Sequence, residues 1–415
     1  MLLSAGSRTA NLGEADIRRI VGEGLAQMDL DGKRVLVIIP DHSRSGPTGV
    51  FFRAIADTLM SRAEKLDFLV ALGTHPPLSD GRIDDLLGFA PGERSAKYGR
   101  VGVLNHHWDE AGELKSVGTI PGRRLAEISG GRMTQDVPVL LNRHIFDYHR
   151  LLICGPVFPH EVAGFSGGHK YLFPGIAAPE IINATHWLGA LITNPAIIGR
   201  RDTPVRAVIE AAAAMVPIER HCIAYVVTPE ALRGIFIGPV LEAWRAAAAL
   251  SDQVHIRYHA RPYHTVLSCA PKMYDDIWTA GKCMYKLEPA VADGGTLIIY
   301  APHITEVSVT HGRLIEEVGY HCRDFFLKQW DRYGRYPGGV LAHCTHVKGV
   351  GTYEDGVERP RVNVVLATRI PPERCRRINL GYVDPDTIHP ADYADREAEG
   401  ILYVPKAGEI LHRVR

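Results

Sequence analysis

One irregular segment, residues 156–187, concentrates side chains that can act as bases, nucleophiles or metal ligands. Its glycines can adopt positive φ angles or let the backbone approach a ligand closely, at an entropic cost that an ordinary connection rarely incurs repeatedly. Imidazoles that titrate near neutral pH and an amine are thus brought to one constrained place. The pattern indicates a functional site, and a glycine-rich surface turn with incidental histidines is the alternative that composition leaves open. The residues concerned are His160, Gly164, Gly167, Gly168, His169, Lys170 and His186.

Two polar loops follow strand-like runs earlier in the chain. The first loop contains Asp41, Ser43 and Arg44, and the second contains His75. In α/β sheets ligands gather beyond the carboxyl ends of the strands, so both loops lie where a site is expected. Helix capping by Asp or Ser, a solvated Arg and a structural His are the alternatives that the residues alone leave open.

The order and spacing of these residues resemble the lactate racemase family. The central motif is His160, then Ala-Gly-Phe-Ser-Gly-Gly-His-Lys ending at Lys170, then Pro-Gly, then His186. Asp-His-Ser-Arg ending at Arg44 and Gly-Thr-His-Pro around His75 resemble two further motifs of the same family, in the expected order. The resemblance implies that His75 and His160 are the two catalytic acid/bases.

The resemblance also implies a cofactor, the nickel-pincer nucleotide, which is pyridinium-3-thioamide-5-thiocarboxylic acid mononucleotide with nickel. Lys170 would be its covalent anchor, and His186 would be the protein ligand to nickel, a metal that accepts imidazole nitrogen. Cofactor-biosynthesis enzymes would then be partners during maturation. Backbone N–H groups of the glycine loop would serve the nucleotide phosphate. The further cofactor-binding residues that this interpretation predicts are Asp41, Ser43, Gly167 and Gly168.

The implied reaction is inversion at the carbinol carbon of a 2-hydroxy acid, catalysed by a racemase or epimerase. The C–H bond is too weakly acidic for simple proton removal, and hydride transfer to and from the cofactor through a planar 2-keto acid avoids that step. Each imidazole would serve as base for one enantiomer and, when protonated, as acid for the other. Arg44 would hold the carboxylate in a two-pronged contact, and Lys282 would add a point charge. Trp278 and Thr279 complete the predicted substrate-binding residues.

Four positions depart from the family's usual pattern, and all of them lie on the predicted substrate side. They are Ser43 for Thr, Ser45 for Pro, Pro76 where Arg is frequent, and Thr279 for Gln. The cofactor and reaction type are therefore predicted more firmly than lactate as the substrate. The shorter Thr279, with His42 and His169 in the same motifs, predicts that a larger or second-carboxylate substrate such as malate is accepted.

Strand, polar loop and helix alternate along the chain, which predicts an α/β fold of two α/β domains with mainly parallel sheets and a cleft between them. The predicted domains are residues 1–258, which anchor the cofactor and carry catalysis, residues 263–398, and a tail of residues 399–415 that returns to the N-terminal domain. Predicted strands are 33–40, 66–72, 101–104, 151–154, 221–227, 265–270, 297–300, 338–342, 362–367 and 401–404. Predicted helical segments include 16–28, 49–63, 206–216, 239–250, 273–288 and 312–330.

Composition limits the classes of partner. Lys plus Arg and Asp plus Glu each number 47 in 415 residues, so zero net charge gives no general reason to bind nucleic acid or an anionic membrane. The ligand is expected to be a small-molecule 2-hydroxy acid. Seven cysteines without a Cys-x-x-Cys pair predict reduced thiols, and no apolar run approaches the length of a membrane span. We therefore expect a cytoplasmic protein, with a homo-oligomer left open.

Two other functions fit parts of the pattern. In a His-ligated metal-dependent hydrolase, His75, His160 and His186 would share one zinc or nickel ion, and Lys170 would be structural. In a non-enzymatic protein that binds small carboxylates, Arg44 and Lys282 would be anion holders. A covalent adduct at Lys170 belongs only to the racemase interpretation, so its detection separates the racemase from the hydrolase, whereas ligand affinity without a change in optical rotation would favour the binding protein.

Overall fold

The computed structural model describes residue 1 and residues 3–415, and within them two compact units are distinguished. Unit 1 comprises Met1–Phe158, Phe165–Ile182 and Arg206–Val254. Unit 2 comprises Pro159–Gly164, Asn183–Val205 and His255–Arg415. No helix in the described part of the chain is long and apolar enough to cross a membrane.

The strands are short and are distributed over both units. They are β1 (Leu3–Gly6), β2 (Arg34–Pro40), β3 (Lys65–Ala71), β4 (Gly102–Asn105), β5 (Leu114–Ile120), β6 (Val137–Asn142), β7 (Arg150–Pro156), β8 (Pro159–His160), β9 (Gly164–Phe165), β10 (Glu219–Val227), β11 (Leu232–Pro239), β12 (Ile256–His259), β13 (Tyr263–Cys269), β14 (Val291–Ala301), β15 (Gly351–Glu354), β16 (Val357–Pro360), β17 (Asn363–Thr368), β18 (Gly381–Tyr382), β19 (Ile401–Val404) and β20 (Leu411–Val414).

The α-helices alternate with these strands. They are α1 (Glu14–Leu25), α2 (Thr48–Leu59), α3 (Asp80–Leu87), α4 (Glu93–Tyr98), α5 (Gly122–Ser129), α6 (Pro179–Ile192), α7 (Asn194–Ile197), α8 (Pro204–Ala213), α9 (Val240–His255), α10 (Ile277–Ala280), α11 (Lys282–Tyr285), α12 (Gly312–Val318), α13 (Arg323–Leu327), α14 (Trp330–Tyr333), α15 (Gly338–Lys348) and α16 (Pro372–Arg377). A 3-10 turn over Gly168–Tyr171 carries the predicted anchor.

Unit 1 is built on a seven-stranded sheet with the order β1-β11-β10-β7-β2-β3-β4. The five strands from β10 to β4 are parallel neighbours, and β11 and β1 are added antiparallel at one edge. The central strands are nearly continuous runs of Val, Ile and Leu because a parallel sheet is covered on both faces. In β2, Val35, Leu36, Val37 and Ile38 are all fully buried. The predicted strands of this half of the chain are therefore confirmed.

Unit 2 contains a second, five-stranded sheet with the order β18-β17-β14-β13-β19, in which every neighbouring pair is parallel. The predicted α/β class with mainly parallel sheets is therefore confirmed. One strand prediction, residues 338–342, was wrong, because these residues begin α15. Every residue of α15 from Gly339 to Lys348 is buried. A helix that is buried on all sides shows no helical periodicity, and its apolar first turn reads like a buried strand.

The units differ from the predicted domain boundaries. Two segments that we predicted to belong to the first domain, residues 159–164 and 183–205, lie in unit 2. The predicted tail, residues 399–415, also lies in unit 2, where β19 pairs with β13 and β20 pairs with β12. The sequence analysis predicts instead that this tail returns to the N-terminal domain. Sequence continuity suggests contiguous domains, whereas strand pairing between distant segments decides which residues form one unit.

Candidate active site

In unit 1, Asp41 and His75 meet at the carboxyl ends of neighbouring parallel strands, β2 and β3. Asp41 is 4% exposed, and its Oδ2 is hydrogen-bonded to His75 Nδ1. Its Oδ1 accepts hydrogen bonds from the Ser43 backbone N–H (3.1 Å) and the Ser43 hydroxyl (2.8 Å). Because a carboxylate only accepts, His75 Nδ1 carries the proton and Nε2 keeps its lone pair. Asp41 thus fixes the tautomer of the His75 ring, and Ser43 holds Asp41.

Tyr171, the residue after Lys170, also belongs to this part of unit 1, and the sequence analysis did not identify it. Burial raises the pKa of its phenol well above the usual value, and Asp41 adds to this rise while Arg44 opposes it. Both charged groups therefore lie within electrostatic range of the phenol. An ideal Cβ at Gly155 would lie 2.0 Å from the Tyr171 oxygen, so only glycine leaves room for this ring. The turn that carries Lys170 and the loop that carries Arg44 are thus neighbours within unit 1.

The glycine loop before Lys170 is shaped by packing. Gly167 and Gly168 have φ angles of +82° and +60°, a region that favours glycine. A Cβ at Gly168 would lie 2.9 Å from the Trp244 ring, and one at Gly167 would lie 2.6 Å from Val157. Burial raises the pKa of the Cys222 thiol to about 12, and the Gly168 backbone N–H partly opposes this rise. Protein contacts therefore account for both glycines, and their predicted cofactor-binding role stays a prediction.

Arg206 holds the same loop through hydrogen bonds to its backbone carbonyls. It is 4% exposed, and its guanidinium donates to the Phe165 carbonyl (2.5 Å) and the Gly167 carbonyl (3.2 Å). The cation also lies 4.1 Å from the centre of the Trp244 ring. Burial lowers the pKa of Arg206 to about 10, with Glu210 opposing the change, so the group is charged at neutral pH. A buried cation therefore holds the loop that leads to Lys170.

His169 lies in a buried polar network. Its Nδ1 is 2.6 Å from Glu210 Oε2, and its Nε2 accepts from the Arg220 guanidinium (3.0 Å). Burial raises the pKa of Glu210, but the His169 hydrogen bond and nearby cations outweigh this and lower it overall. Both ring nitrogens are committed to protein partners. The idea that His169 helps to admit a larger substrate therefore finds no support in these contacts.

We expect Arg206→Ala to destabilise the protein by about 2 to 4 kcal/mol, because it leaves two buried carbonyls without a donor and removes the contact with Trp244. Urea unfolding followed by circular dichroism measures the change. Arg124→Ala is the control, since Arg124 and its partner Glu127 are both exposed and such pairs contribute about 0 to 1 kcal/mol. Equal losses in the two variants would contradict the role given to Arg206.

In unit 2, His160 is 4% exposed and follows Pro159 in β8. Its Nδ1 accepts the Val162 backbone N–H at 3.1 Å, which assigns the ring proton of the neutral form to Nε2. The Glu161 carboxylate lies 3.4 Å from the same Nδ1. Lys286 donates to the Pro159 carbonyl at 2.5 Å and fixes the backbone beside it. His160 and His75 are therefore held in opposite tautomers.

His186 lies on α6 and belongs to a group of imidazoles in unit 2. Its charged form would lower the pKa of His343, as would those of His346 and His311, although burial is the largest cause of that lowering. His343 is bonded through both nitrogens, Nδ1 to the Tyr285 hydroxyl (2.9 Å) and Nε2 to the Tyr320 hydroxyl (3.1 Å). It is therefore a neutral ring locked in one orientation.

The three predicted substrate-binding residues of unit 2 are all engaged by protein. The Trp278 ring centre lies 4.4 Å from those of both His311 and His343. The Thr279 hydroxyl donates to Asp276 Oδ1 (2.8 Å) as part of the cap of α10. The Lys282 ammonium lies 4.6 Å from the centre of the Tyr274 ring. Trp278 is thus positioned by two imidazoles, and Thr279 has a structural role that sequence comparison did not suggest.

The sequence analysis missed the imidazoles that hold Trp278. His311 and His343 lie outside every motif, and the only signal was the count of 20 histidines. His343 becomes recognisable once α15 is known to be a helix, because His343 and His346 are then three residues apart on neighbouring turns. His311 is recognised only from the contact of its ring with Trp278.

The donor groups suit the predicted cofactor. An amine is present at Lys170 for a covalent link and an imidazole at His186 for nickel, which accepts nitrogen ligands. Among the described residues no group of three or more His, Cys, Asp or Glu side chains is arranged to hold a metal ion.

Part of the chain matches a domain of known proteins. Residues 13–198 match the lactate racemase N-terminal domain. The lactate racemase of Thermoanaerobacterium thermosaccharolyticum is 29% identical over 204 residues, which are 46% of this chain and 42% of that protein. The lactate racemase of Lactiplantibacillus plantarum is 30% identical over 172 residues, which are 40% of this chain and 35% of that protein. The chain thus matches less than half the length of these curated relatives.

Solved structures extend the likeness over the whole chain. A crystal structure of a Thermotoga maritima protein is 32% identical, with a TM-score of 0.90 over 98% of this chain and 99% of that one. The lactate racemase apoprotein of Thermoanaerobacterium thermosaccharolyticum shares the fold, with a TM-score of 0.70 and 18% identity over 96% of this chain and 93% of that one. The predicted resemblance is confirmed: residues 13–198 of this chain match the lactate racemase N-terminal domain, and nearly all of the chain shares the fold of a lactate racemase.

Proposed function

We propose that this protein is an isomerase, a racemase or epimerase that inverts the hydroxyl-bearing carbon of a 2-hydroxy acid. The observation that carries the proposal is the Asp41–His75 pair at the carboxyl ends of β2 and β3. The pair lies inside the domain shared with lactate racemases, and a carboxylate that fixes one tautomer of a histidine is a recurring arrangement for a general base.

Acid/base chemistry would use the two histidines in complementary states. His75 presents the Nε2 lone pair and can accept the substrate's hydroxyl proton, whereas neutral His160 presents an N–H. Inversion needs a proton acceptor for one enantiomer and a proton donor for the other, and the two histidines would supply one each.

The carboxylate of the substrate would be bound by two positively charged side chains. Arg44 offers the two-pronged donor geometry that suits a carboxylate, and Lys282 offers a point charge. The contact of Lys282 with the Tyr274 ring would restrict where its ammonium can lie. Because the Thr279 hydroxyl is occupied in a helix cap, it would contribute its small size more than a hydrogen bond. These features favour a substrate larger than lactate, such as malate.

The cofactor that we propose is the nickel-pincer nucleotide, held by Lys170 and His186. When bound, it supplies a hydride acceptor and donor at a pyridinium ring. Lys170 would be joined to it by a thioamide, formed when the neutral amine condenses with a thiocarboxylic acid group and water is lost. His186 would present a neutral imidazole nitrogen to the nickel. Arg206 and the glycine loop would keep Lys170 in place.

The test is a racemisation assay on protein produced together with the cofactor-biosynthesis enzymes. Single enantiomers of lactate, malate and longer 2-hydroxy acids are incubated with it, and optical rotation is followed while intact mass and nickel content are measured. We expect an adduct, bound nickel and loss of rotation with at least one substrate. Protein made without those enzymes is the control and should be inactive.

Loaded protein that binds these acids without changing their rotation would overturn the proposal in favour of a carboxylate-binding protein. Turnover of lactate but not malate would reject the larger substrate while leaving the reaction type intact.

A further inference from the structure

A small cavity of about 20 Å³ lies within unit 2, and none of the residues assigned to the reaction lines it. Its wall includes the first residue of α7 and consecutive residues near the end of α15. The lining residues that matter here are Asn194, Glu288, Arg323, Thr345, His346 and Val350.

Three polar atoms on this wall have no hydrogen-bond partner among the described residues. They are Asn194 Oδ1, Thr345 Oγ1 and His346 Nε2. Their residues are 3%, 5% and 3% exposed, so water at the surface does not serve them. An unsatisfied polar atom at such depth is costly, and native structures rarely place three around one space without a shared partner.

The neighbouring groups cannot turn to satisfy these atoms. The Asn194 amide nitrogen already donates to the Tyr285 carbonyl (3.0 Å) and to Glu288 Oε2 (2.8 Å), which fixes its oxygen toward other atoms. Glu288 Oε1 accepts the Val350 N–H at 2.8 Å, so both carboxylate oxygens are used. Arg323 donates to the Leu191 carbonyl at 3.0 Å and pairs with Asp324.

We propose that this cavity is a permanent binding site for one water molecule. Its volume exceeds the roughly 10–15 Å³ that a single water needs, and three polar partners are the usual number for a buried water. The water would donate to Asn194 Oδ1 and to His346 Nε2 and accept from the Thr345 hydroxyl, which uses each atom in a role that it can play.

The chemistry of the wall excludes an ion. A hard cation needs about six or more oxygen ligands, whereas among the described residues of this wall only two unsatisfied side-chain atoms are oxygens, and Arg323 adds positive charge. An anion is disfavoured by the Asn194 oxygen and by Glu288. Burial lowers the pKa of His346 to about 4, partly opposed by Glu161, so the ring is a neutral partner. Water is the ligand that can both donate and accept here.

The bound water would join the start of α7 to the C-terminal part of α15. These two points are about 150 residues apart in sequence, and the direct hydrogen bonds of Asn194 run to Tyr285 and Glu288 instead. The water would therefore act as a structural link within unit 2. This inference does not depend on the proposed function.

Thr345→Val in the full chain tests the site, because valine keeps the shape of threonine and removes only the hydroxyl. With a bound water, the variant loses one of three hydrogen bonds at the site, and the urea midpoint should fall. In a dry cavity the same change removes an unsatisfied hydroxyl, and the midpoint should stay or rise. Thr345→Ser, which keeps the hydroxyl, is the matched control for the hydrogen bond.

A crystal structure of the unmodified protein gives the second readout. We expect one density peak about 2.7 to 3.2 Å from all three atoms, at hydrogen-bond distance. A midpoint that does not fall in Thr345→Val, or the absence of a peak, would overturn the proposal. A peak with metal-like distances of about 2.3 to 2.6 Å would also overturn it in favour of a cation.

Discussion

His75→Ala is expected to lower the racemisation rate by about 10²- to 10⁴-fold while the protein stays folded and keeps its adduct and nickel. The reason is that His75 is the proposed base, with Nδ1 held by Asp41 and Nε2 left to accept the proton. Optical rotation of a single enantiomer measures the rate. Intact mass and nickel analysis on the same sample show that loading is unchanged.

Asp41→Asn separates tautomer control from the mere presence of the ring. The amide has nearly the same shape, but it can present an N–H to Nδ1 and so move the ring proton to Nε2. We expect a loss of up to about 10⁴-fold although the ring is still present, because the wrong tautomer leaves no lone pair where the proton must be accepted. His107→Ala is the matched control for His75→Ala, since His107 also pairs with a carboxylate, Glu110, at 3.0 Å but lies outside the motifs. Full activity in His75→Ala would contradict the two-base scheme.

The strands of the parallel sheets could be predicted because burial on both faces imposes an uninterrupted apolar run. Residues 33–40 and 66–72 were recognised in this way, and β2 and β3 lie at Arg34–Pro40 and Lys65–Ala71. The same reasoning failed at residues 338–342, where a fully buried helix gives an equally apolar run. A continuous helix over residues 273–288 was likewise too simple, since Gly281 separates α10 from α11.

Local spacing also predicted part of the site. Asp41, Ser43 and His75 occupy loops after adjacent strands, and a parallel sheet brings such loops together, so their contact follows from topology. Contacts set by distant segments could not be predicted. The clamp of Arg206 on the Phe165 and Gly167 carbonyls and the bonds of His343 to Tyr285 and Tyr320 depend on tertiary packing that no short motif encodes.

Lys170→Arg is expected to abolish the covalent adduct completely while preserving a positive charge at this position. A guanidinium remains protonated at neutral pH and is a poor nucleophile, whereas a lysine amine can lose its proton and condense with a thiocarboxylic acid. Protein made with the cofactor-biosynthesis enzymes should then have the mass of the bare chain. Intact-mass spectrometry gives the readout, and peptide mapping of the unmodified protein should locate the adduct on the peptide that contains Lys170.

His186→Ala shows whether anchoring and metal binding are separate tasks. The variant should keep the adduct and lose most of its nickel, because the amine that forms the link is untouched while the imidazole ligand is gone. Lys97→Arg, on the short helix α4, controls for a general effect of replacing lysine and should keep both adduct and metal. An adduct that persists in Lys170→Arg would place the link on another residue and remove the basis for assigning Lys170 as the anchor. Bound nickel in His186→Ala at the level of the unmodified protein would show that the metal is held without this imidazole.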